Sequence, residues 1–113
     1  MLTIYHNPRC SKSRQTLQLI SEKGVAVKVI EYLIDTPTEE ELKTIISKLG
    51  IKPADLVRKS EEIYKEQYKE KNLSDVEWVR AMVAHPKLIE RPIVVSDKQA
   101  VLGRPPENVM QLL

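Results

Sequence analysis

The chain has 113 residues, a formal net charge of +2, 42% hydrophobic residues and one cysteine. This length suits one domain with a single core. The small charge, the lack of a long apolar run and the lack of a charged leader argue against a nucleic-acid partner, a membrane span and a signal peptide. Because one cysteine cannot close an internal disulfide, we expect a cytoplasmic protein that works under reducing conditions.

A strand, a helix and a second strand are predicted in the first third of the chain. The apolar run Leu2–Tyr5 indicates a strand, and helix formers follow over about residues 11–23, where Gly24 is placed to end the helix. The segment Val25–Leu33 is rich in β-branched residues and indicates the second strand. Cys10 therefore lies between a strand and the start of a helix.

Two capping boxes predict helices in the middle of the chain. Thr38 is followed three residues later by Glu41, and Ser74 by Glu77. Gly50 is placed to end the first of these helices. The apolar spacing predicts the buried faces, which are Leu42, Ile45, Ile46 and Leu49 in the first helix and Val76, Val79, Met82 and Val83 in the second.

The last third of the chain predicts a hairpin and a short helix. His85-Pro86 stops the preceding helix. Ile93–Val95 and Ala100–Leu102 resemble two strands of a hairpin, and Pro105-Pro106 starts a final helix.

The order of the predicted elements is β-α-β, a block of helices, then β-β-α. This is the order of elements in a thioredoxin or glutaredoxin fold. We therefore predict an α/β protein with a mixed four-stranded sheet, as one domain over residues 1–113 with a helical insert at roughly 37–86. No metal site is expected, because His6, His85 and Cys10 are too few and too scattered for a tetrahedral shell.

Cys10 lies in the stretch HNPRCSKSR, among the cations Arg9, Lys12 and Arg14. A helix N-terminus presents unpaired N–H groups and the positive end of the dipole, and both favour a thiolate. Half-ionisation at pH 7 needs a fall of about 1.5 units from a free-thiol pKa of ~8.5, which is roughly 2 kcal/mol. We predict a nucleophilic thiolate; the alternative is a buried structural cysteine.

Two absences narrow the chemistry of this thiolate. A dithiol oxidoreductase carries Cys-x-x-Cys, but Ser13 stands where the second cysteine would be. A loop of the tyrosine-phosphatase type needs an arginine six residues after its cysteine, and that position is Thr16. A sulfur from another molecule must therefore resolve the intermediate.

Three arginines are candidates for holding an oxyanion. Arg58, Arg91 and Arg104 lie in the separate segments LVRKS, ERPIVV and LGRPP, each beside a predicted turn or strand edge. The planar fork of arginine donates two hydrogen bonds to an oxyanion at once. An arginine taken singly is more often a surface charge, and the spacing of these three alone does not bring them together.

The stretch at residues 6–14 resembles the H-x3-C-x3-R signature of the ArsC-type, glutaredoxin-linked arsenate reductases. The similarity extends over nearly the whole chain and includes YLIDTPTEEEL, LVRKS, HPKLIERPIVV and LGRPPE. The better-known members continue for a few dozen residues past this ending, so the chain resembles a short form of the family.

In that family the cysteine attacks arsenate, and three arginines hold the oxyanion and its reduced product. The resemblance assigns these roles to Cys10 and to Arg58, Arg91 and Arg104. It also implies a thioredoxin-like fold with Pro92 as a cis-proline facing the nucleophile.

Three further residues match the remaining signature positions, namely His6, Ser13 and Arg14. His6 either orients the loop or tunes the thiolate, or else it caps the end of the strand. Ser13 either donates a hydrogen bond to the sulfur or caps the helix.

The implied reaction is the reduction of arsenate to arsenite without a metal or bound organic cofactor. Glutathione is the implied co-substrate, and a glutaredoxin reduces the disulfide that it forms with Cys10. Two alternatives stay open. One is a redox regulator resembling the Spx proteins, which bind RNA polymerase and typically switch through Cys-x-x-Cys. The other is a glutathione-dependent thiol reductase with other substrates.

Overall fold

The structure is a computed structural model that describes residues 2–113. Its strands are β1 (Leu2–His6), β2 (Val27–Glu31), β3 (Ile93–Val95) and β4 (Ala100–Leu102), and its helices are α1 (Ser11–Glu22), α2 (Glu39–Leu49) and α3 (Asp75–Ala84). The shorter helical segments are Pro53–Leu56, Pro86–Leu88 and Pro106–Leu112, which are 3₁₀, and Tyr64–Tyr68, which is π-helical.

The described residues form two compact units. The first unit comprises residues 2–35 and 91–113, and the second is Thr36–Glu90. The second unit spans the segment predicted as a helical insert, 37–86. The description of residues 1–113 as one domain stays a prediction.

The first unit is built on a sheet with the strand order β2-β1-β3-β4. Strand β1 runs parallel to β2 and antiparallel to β3, and β3 is antiparallel to β4. This arrangement confirms the predicted α/β class with a mixed four-stranded sheet, and it is the sheet of a thioredoxin-like fold. Since β1 is an inner strand, the loop that follows it starts from the middle of the sheet.

The core of the first unit explains how β1 and α1 are oriented. Alternate residues of β1, namely Leu2, Ile4 and His6, are buried, as expected for a strand with one face against a core. The buried residues of α1 are Ser13, Thr16 and Ile20, and the helix packs against the C-terminal segment Pro106–Leu112. On the buried face of α1, Ser13 lies close to His6 at the end of β1.

Both predicted capping boxes are present in the second unit. The Thr38 hydroxyl accepts a hydrogen bond from the Glu41 N–H at 3.1 Å, and the Glu41 carboxylate accepts one from the Thr38 N–H at 3.0 Å. Ser74 and Glu77 make the same pair of bonds at 3.3 and 3.0 Å. These bonds satisfy N–H groups that the helix itself leaves unpaired.

The predicted apolar face of α3 is wrong at Val76, which is 44% exposed. The buried residues of this helix are Trp78, Val79, Ala81 and Met82. The Trp78 ring lies against Tyr64 and Tyr68, with ring centroids 6.3 and 5.8 Å apart, so the buried face is rotated toward these aromatic rings.

Element ends differ from the predictions by a few residues. Strand β2 is shorter than the predicted Val25–Leu33, and the C-terminal helix is 3₁₀. Helix α1 ends before Gly24, whose φ of +68° lies in the left-handed region that favours glycine, as predicted. In the part of the chain that the structure describes, no helix combines the length and the apolar character needed to cross a membrane.

Candidate active site

Cys10 occupies the N-cap position of α1, with φ −91° and ψ 123°. Its N–H donates to the Asn7 carbonyl at 3.0 Å, and its own carbonyl accepts from the Arg14 N–H at 3.0 Å. The Cys10 sulfur stands where a capping oxygen would, and the first turn of α1 has no acidic residue. The positive end of this helix is therefore free to act on the sulfur or on a bound anion.

The pKa of the Cys10 thiol is lowered from its ordinary value. Partial burial raises this pKa, but the N–H of Ser13, the Arg91 guanidinium and the N–H of Lys12 together lower it by more. Hydrogen bonds and positive charge directed at the sulfur stabilise the charged form. The direction of the shift agrees with the thiolate predicted from the sequence.

Two of the three candidate arginines lie at this sulfur. The Arg91 guanidinium lies close enough to Cys10 to be one cause of the lowered pKa of its thiol. Arg104 Nη1 lies 3.9 Å from Cys10 Sγ, near the limit for a bond to sulfur, and donates to the Arg91 carbonyl at 3.1 Å. The fold thus joins two cations with a nucleophile that is 94 residues from Arg104 in the chain.

The segment that carries Arg104 comes very close to α1 and to Pro92. A Cβ on Gly103 would overlap Thr16 Oγ1 and lie 2.7 Å from Pro92 Cγ, so there is no room for a side chain there. The Gly103 N–H donates to the Pro92 carbonyl at 2.9 Å. Glycine at position 103 therefore lets the backbone before Arg104 approach the site.

The Arg91–Pro92 peptide bond is cis, as the resemblance implied. The Arg104–Pro105 bond is also cis, which the sequence did not indicate. Pro92 is buried, and its carbonyl bonds the Gly103 N–H. Its role toward the nucleophile stays a prediction.

His6 and Ser13 form a buried pair at the end of β1. His6 Nδ1 and Ser13 Oγ are 2.6 Å apart, and the Asn7 N–H donates to the same Oγ at 3.0 Å. Burial lowers the pKa of His6; Glu31 raises it and Arg14 lowers it, with a net fall. The imidazole is therefore neutral at pH 7, so the Ser13 hydroxyl can donate its hydrogen to Nδ1.

These bonds differ from both sequence interpretations of the Ser13 side chain. Its hydroxyl neither bonds the Cys10 sulfur nor caps the helix; it joins α1 to the end of β1. The Ser13 backbone N–H is the group that acts on the sulfur. The His6 side chain contacts Ser13 of α1, and its role in orienting the loop stays a prediction.

The Arg14 side chain bonds the backbone of the loop that precedes Cys10. Its Nη1 donates to the Pro8 carbonyl at 2.9 Å, and the Arg9 N–H donates to Asn7 Oδ1 at 3.0 Å. The first bond links the opening turn of α1 back to the residues before Cys10. Arg14 therefore stabilises the loop conformation.

Arg58 belongs to the second unit. Its Nη1 lies 2.9 Å from the Glu90 carboxylate, its Nε lies 3.6 Å from Glu61, and its N–H donates to the Leu88 carbonyl at 2.7 Å. Two carboxylates therefore compensate its charge in this state. Its part in holding an oxyanion stays a prediction.

Two residues at the site were not singled out from the sequence. Thr16 Oγ1 bonds the Lys12 carbonyl at 2.8 Å and lies 3.4 Å from the Gly103 carbonyl. Asn108 bonds carbonyls of the segment that carries Arg104. No local pattern marks these contacts, because each depends on how distant segments pack.

Across residues 2–113, no group of three or more His, Cys, Asp or Glu side chains is placed to hold a metal ion.

Comparisons with known proteins add to this geometry. Residues 5–112 match the sequence profile of the ArsC family. The arsenate reductase of Neisseria meningitidis is 44% identical over 114 residues, covering 99% of this chain and 97% of that protein. The uncharacterized protein YfgD of Escherichia coli is 47% identical, covering 97% and 94%. A solved structure of the arsenate reductase from Vibrio cholerae superposes with a TM-score of 0.94 at 50% identity, covering 99% and 97%.

Proposed function

We propose that this chain, which belongs to the ArsC family, reduces arsenate to arsenite with Cys10 as the nucleophile. The observation that carries the proposal is the meeting of the Cys10 sulfur with the guanidinium groups of Arg91 and Arg104 at the N-terminus of α1. The Arg91 charge that favours a thiolate also favours the oxyanion that the thiolate attacks, and Arg104 adds a second cation for that oxyanion. The reduced single cysteine suits the cytoplasm as the place of reaction.

The first step joins Cys10 to arsenic. The thiolate attacks As(V), an arsenic–oxygen bond breaks, and that oxygen leaves as water after taking up protons. The arginines offset the negative charge that arsenate brings and that grows during attack. In this step arsenic remains As(V), since one ligand has replaced another.

The reduction itself needs a second sulfur, and glutathione supplies it. Glutathione replaces another oxygen on arsenic, which leaves as water, so that two sulfurs are bound to As(V). The two sulfurs then form a disulfide, arsenic keeps the electron pair and becomes As(III), and arsenite leaves after uptake of one water. A glutaredoxin thiol attacks the glutathione sulfur, and Cys10 returns as thiolate.

Ser13 explains why the second sulfur must come from outside. A second cysteine at that position would let Cys10 form an internal disulfide, whereas the Ser13 hydroxyl is bonded to His6. The same residue weighs against an Spx-like regulator that switches through Cys-x-x-Cys.

The experiment is a coupled NADPH assay with arsenate, glutathione, glutaredoxin and glutathione reductase. We expect turnover that stops when arsenate, glutathione or glutaredoxin is omitted, and poor activity when thioredoxin replaces glutaredoxin. Robust turnover with thioredoxin alone would contradict the mechanism.

Intact-mass analysis tests the intermediate in the same protein. Treatment with arsenate and glutathione should give one glutathione adduct, which Cys10→Ser lacks. An adduct that forms equally well without arsenate would instead support a general thiol reductase, with Cys10 still the nucleophile.

A further inference from the structure

Asn108 is held against the segment of chain that presents Arg104. Its side-chain Nδ2 donates to the Leu102 carbonyl at 3.1 Å and to the Arg104 carbonyl at 3.2 Å. Both partners are carbonyl oxygens, which accept hydrogen bonds and cannot donate them, so the amino side of the amide must face them. Each hydrogen of this amino group therefore has its own acceptor.

The two acceptors lie on either side of Gly103. The Asn108 amide consequently fixes both ends of a three-residue segment, Leu102 to Arg104. The middle of that segment is fixed from the other side, because the Gly103 N–H donates to the Pro92 carbonyl and the Gly103 carbonyl lies 3.4 Å from Thr16 Oγ1. With these contacts, the Arg104 backbone has little freedom to move.

The position of the Arg104 backbone decides where its guanidinium can reach. Its Nη1 lies 3.1 Å from the Arg91 carbonyl oxygen and 3.9 Å from the Cys10 sulfur. The second distance is already near the limit for a bond to sulfur, so a small displacement of the segment would remove that contact. Loss of one positioned donor at a charged centre has large effects on reactivity.

We propose that Asn108 is a positioning residue that holds Arg104 where its guanidinium acts on the Cys10 sulfur. The proposal rests on the proposed function, since it takes Cys10 and Arg104 as the working groups. Asn108 itself touches neither the sulfur nor, by this proposal, the oxyanion.

The test is the rate of Cys10 alkylation by iodoacetamide as a function of pH, in single and double variants. Asn108→Ala removes both donors without adding charge, and Asn108→Asp keeps the shape while replacing the donors with acceptors. We expect each variant to move the alkylation midpoint to higher pH and to slow alkylation at pH 7 by about two- to threefold, in the same direction as Arg104→Ala.

The decisive comparison is the double variant. If Asn108 acts through Arg104, then Asn108→Ala in an Arg104→Ala background should shift the alkylation midpoint no further. Asn108→Ala also removes two hydrogen bonds, so it should lower thermal stability by the same amount with and without Arg104. Gln111→Ala is the matched control, because it removes an exposed amide from the same C-terminal segment. It should leave the midpoint unchanged.

Several outcomes would overturn the proposal. These are an unchanged midpoint in Asn108→Ala, an unchanged midpoint in Arg104→Ala, or equal shifts from Asn108→Ala with and without Arg104. None of these measurements uses arsenate, so failure of the proposed reductase activity would be seen separately in the coupled assay.

Discussion

The N-termini of the three α-helices face the same physical problem and meet it in two ways. In α2 and α3, Thr38 and Ser74 accept hydrogen bonds from the first turn, and a glutamate three residues later returns the bond. In α1, the N-cap residue is Cys10, which has a sulfur in place of a capping oxygen, and the first turn has no acidic residue. Helix termini that stabilise the fold are thus occupied by the chain's own oxygens, whereas the terminus at the candidate site is left to a sulfur.

The charges around these termini show the same contrast. Helix α2 carries Glu39, Glu40 and Glu41 in its first turn, and α3 carries Asp75 and Glu77, all of which favour the positive end of the dipole. The start of α1 instead has Arg91 and Arg104 beside it. Positive side chains beside a helix N-terminus add to the positive end of the dipole, so together they favour an anion at this position.

Cys10→Ser should have the largest effect, because serine keeps the N-cap position but cannot form a thiolate. We expect arsenate reduction to fall by at least about 10⁴-fold, as for loss of a catalytic nucleophile. The coupled NADPH assay measures it, and circular dichroism should show an unchanged fold. Retention of a tenth of the activity would mean that α1 does not carry the chemistry.

Replacing Arg91 or Arg104 with alanine should come next. Each change is expected to lower kcat/KM for arsenate by about 2–4 kcal/mol in transition-state stabilisation, the scale for one positioned donor. Thermal stability should move little. Arg80→Ala is the matched control, since the Arg80 side chain is 68% exposed on α3. Full activity in both variants would show that neither Arg91 nor Arg104 helps to bind arsenate or its transition state.

Thr38→Ala and Ser74→Ala should show the opposite profile. Loss of a cap oxygen is expected to lower the free energy of unfolding by about 1 kcal/mol, with no change in Cys10 alkylation. Urea unfolding followed by circular dichroism measures the first effect. Ser47→Ala, an exposed position within α2, is the control. A cap variant that altered alkylation without destabilising the protein would contradict this division of roles.

The smallest expected effect is a pH dependence of stability. The pKa of Cys10 is lower in the folded chain, so the thiolate contributes stability that is complete above the unfolded pKa and is lost as pH falls through the folded pKa. The wild type should therefore lose stability relative to Cys10→Ser as the pH is lowered through the alkylation midpoint. A difference between the two proteins that does not vary with pH would indicate an unshifted thiol.

The helix caps could be predicted because their cause is local. Thr38 with Glu41, and Ser74 with Glu77, lie within one helical turn, and the structure confirms both. The buried face of α3 could not be placed correctly, because Trp78 is drawn inward by Tyr64 and Tyr68 from a different segment. Periodicity within one helix contains no information about those rings.

The candidate site also has a part that the local sequence predicts and a part that depends on distant segments. The position of Cys10 at the helix start, and its surrounding cations, are visible within nine residues. The meeting of Cys10 with Arg91 and Arg104 needed the resemblance, because residues so far apart in sequence meet only through the order of the strands. The predicted roles of the Ser13 side chain were wrong because its partner, His6, lies at the end of β1 and not in α1.

Gly103 has a consequence for how this protein can change by mutation. Where two elements meet through side chains, a substitution on one can be balanced by repacking on the other, but here a backbone atom itself faces Thr16 and Pro92. A saturation library at position 103 should therefore retain glycine almost alone, while neighbouring Val101, which is half-buried, tolerates other β-branched residues. The close approach of Arg104 to Cys10 therefore depends on a position that has no side chain, and no other residue type can replace glycine there conservatively.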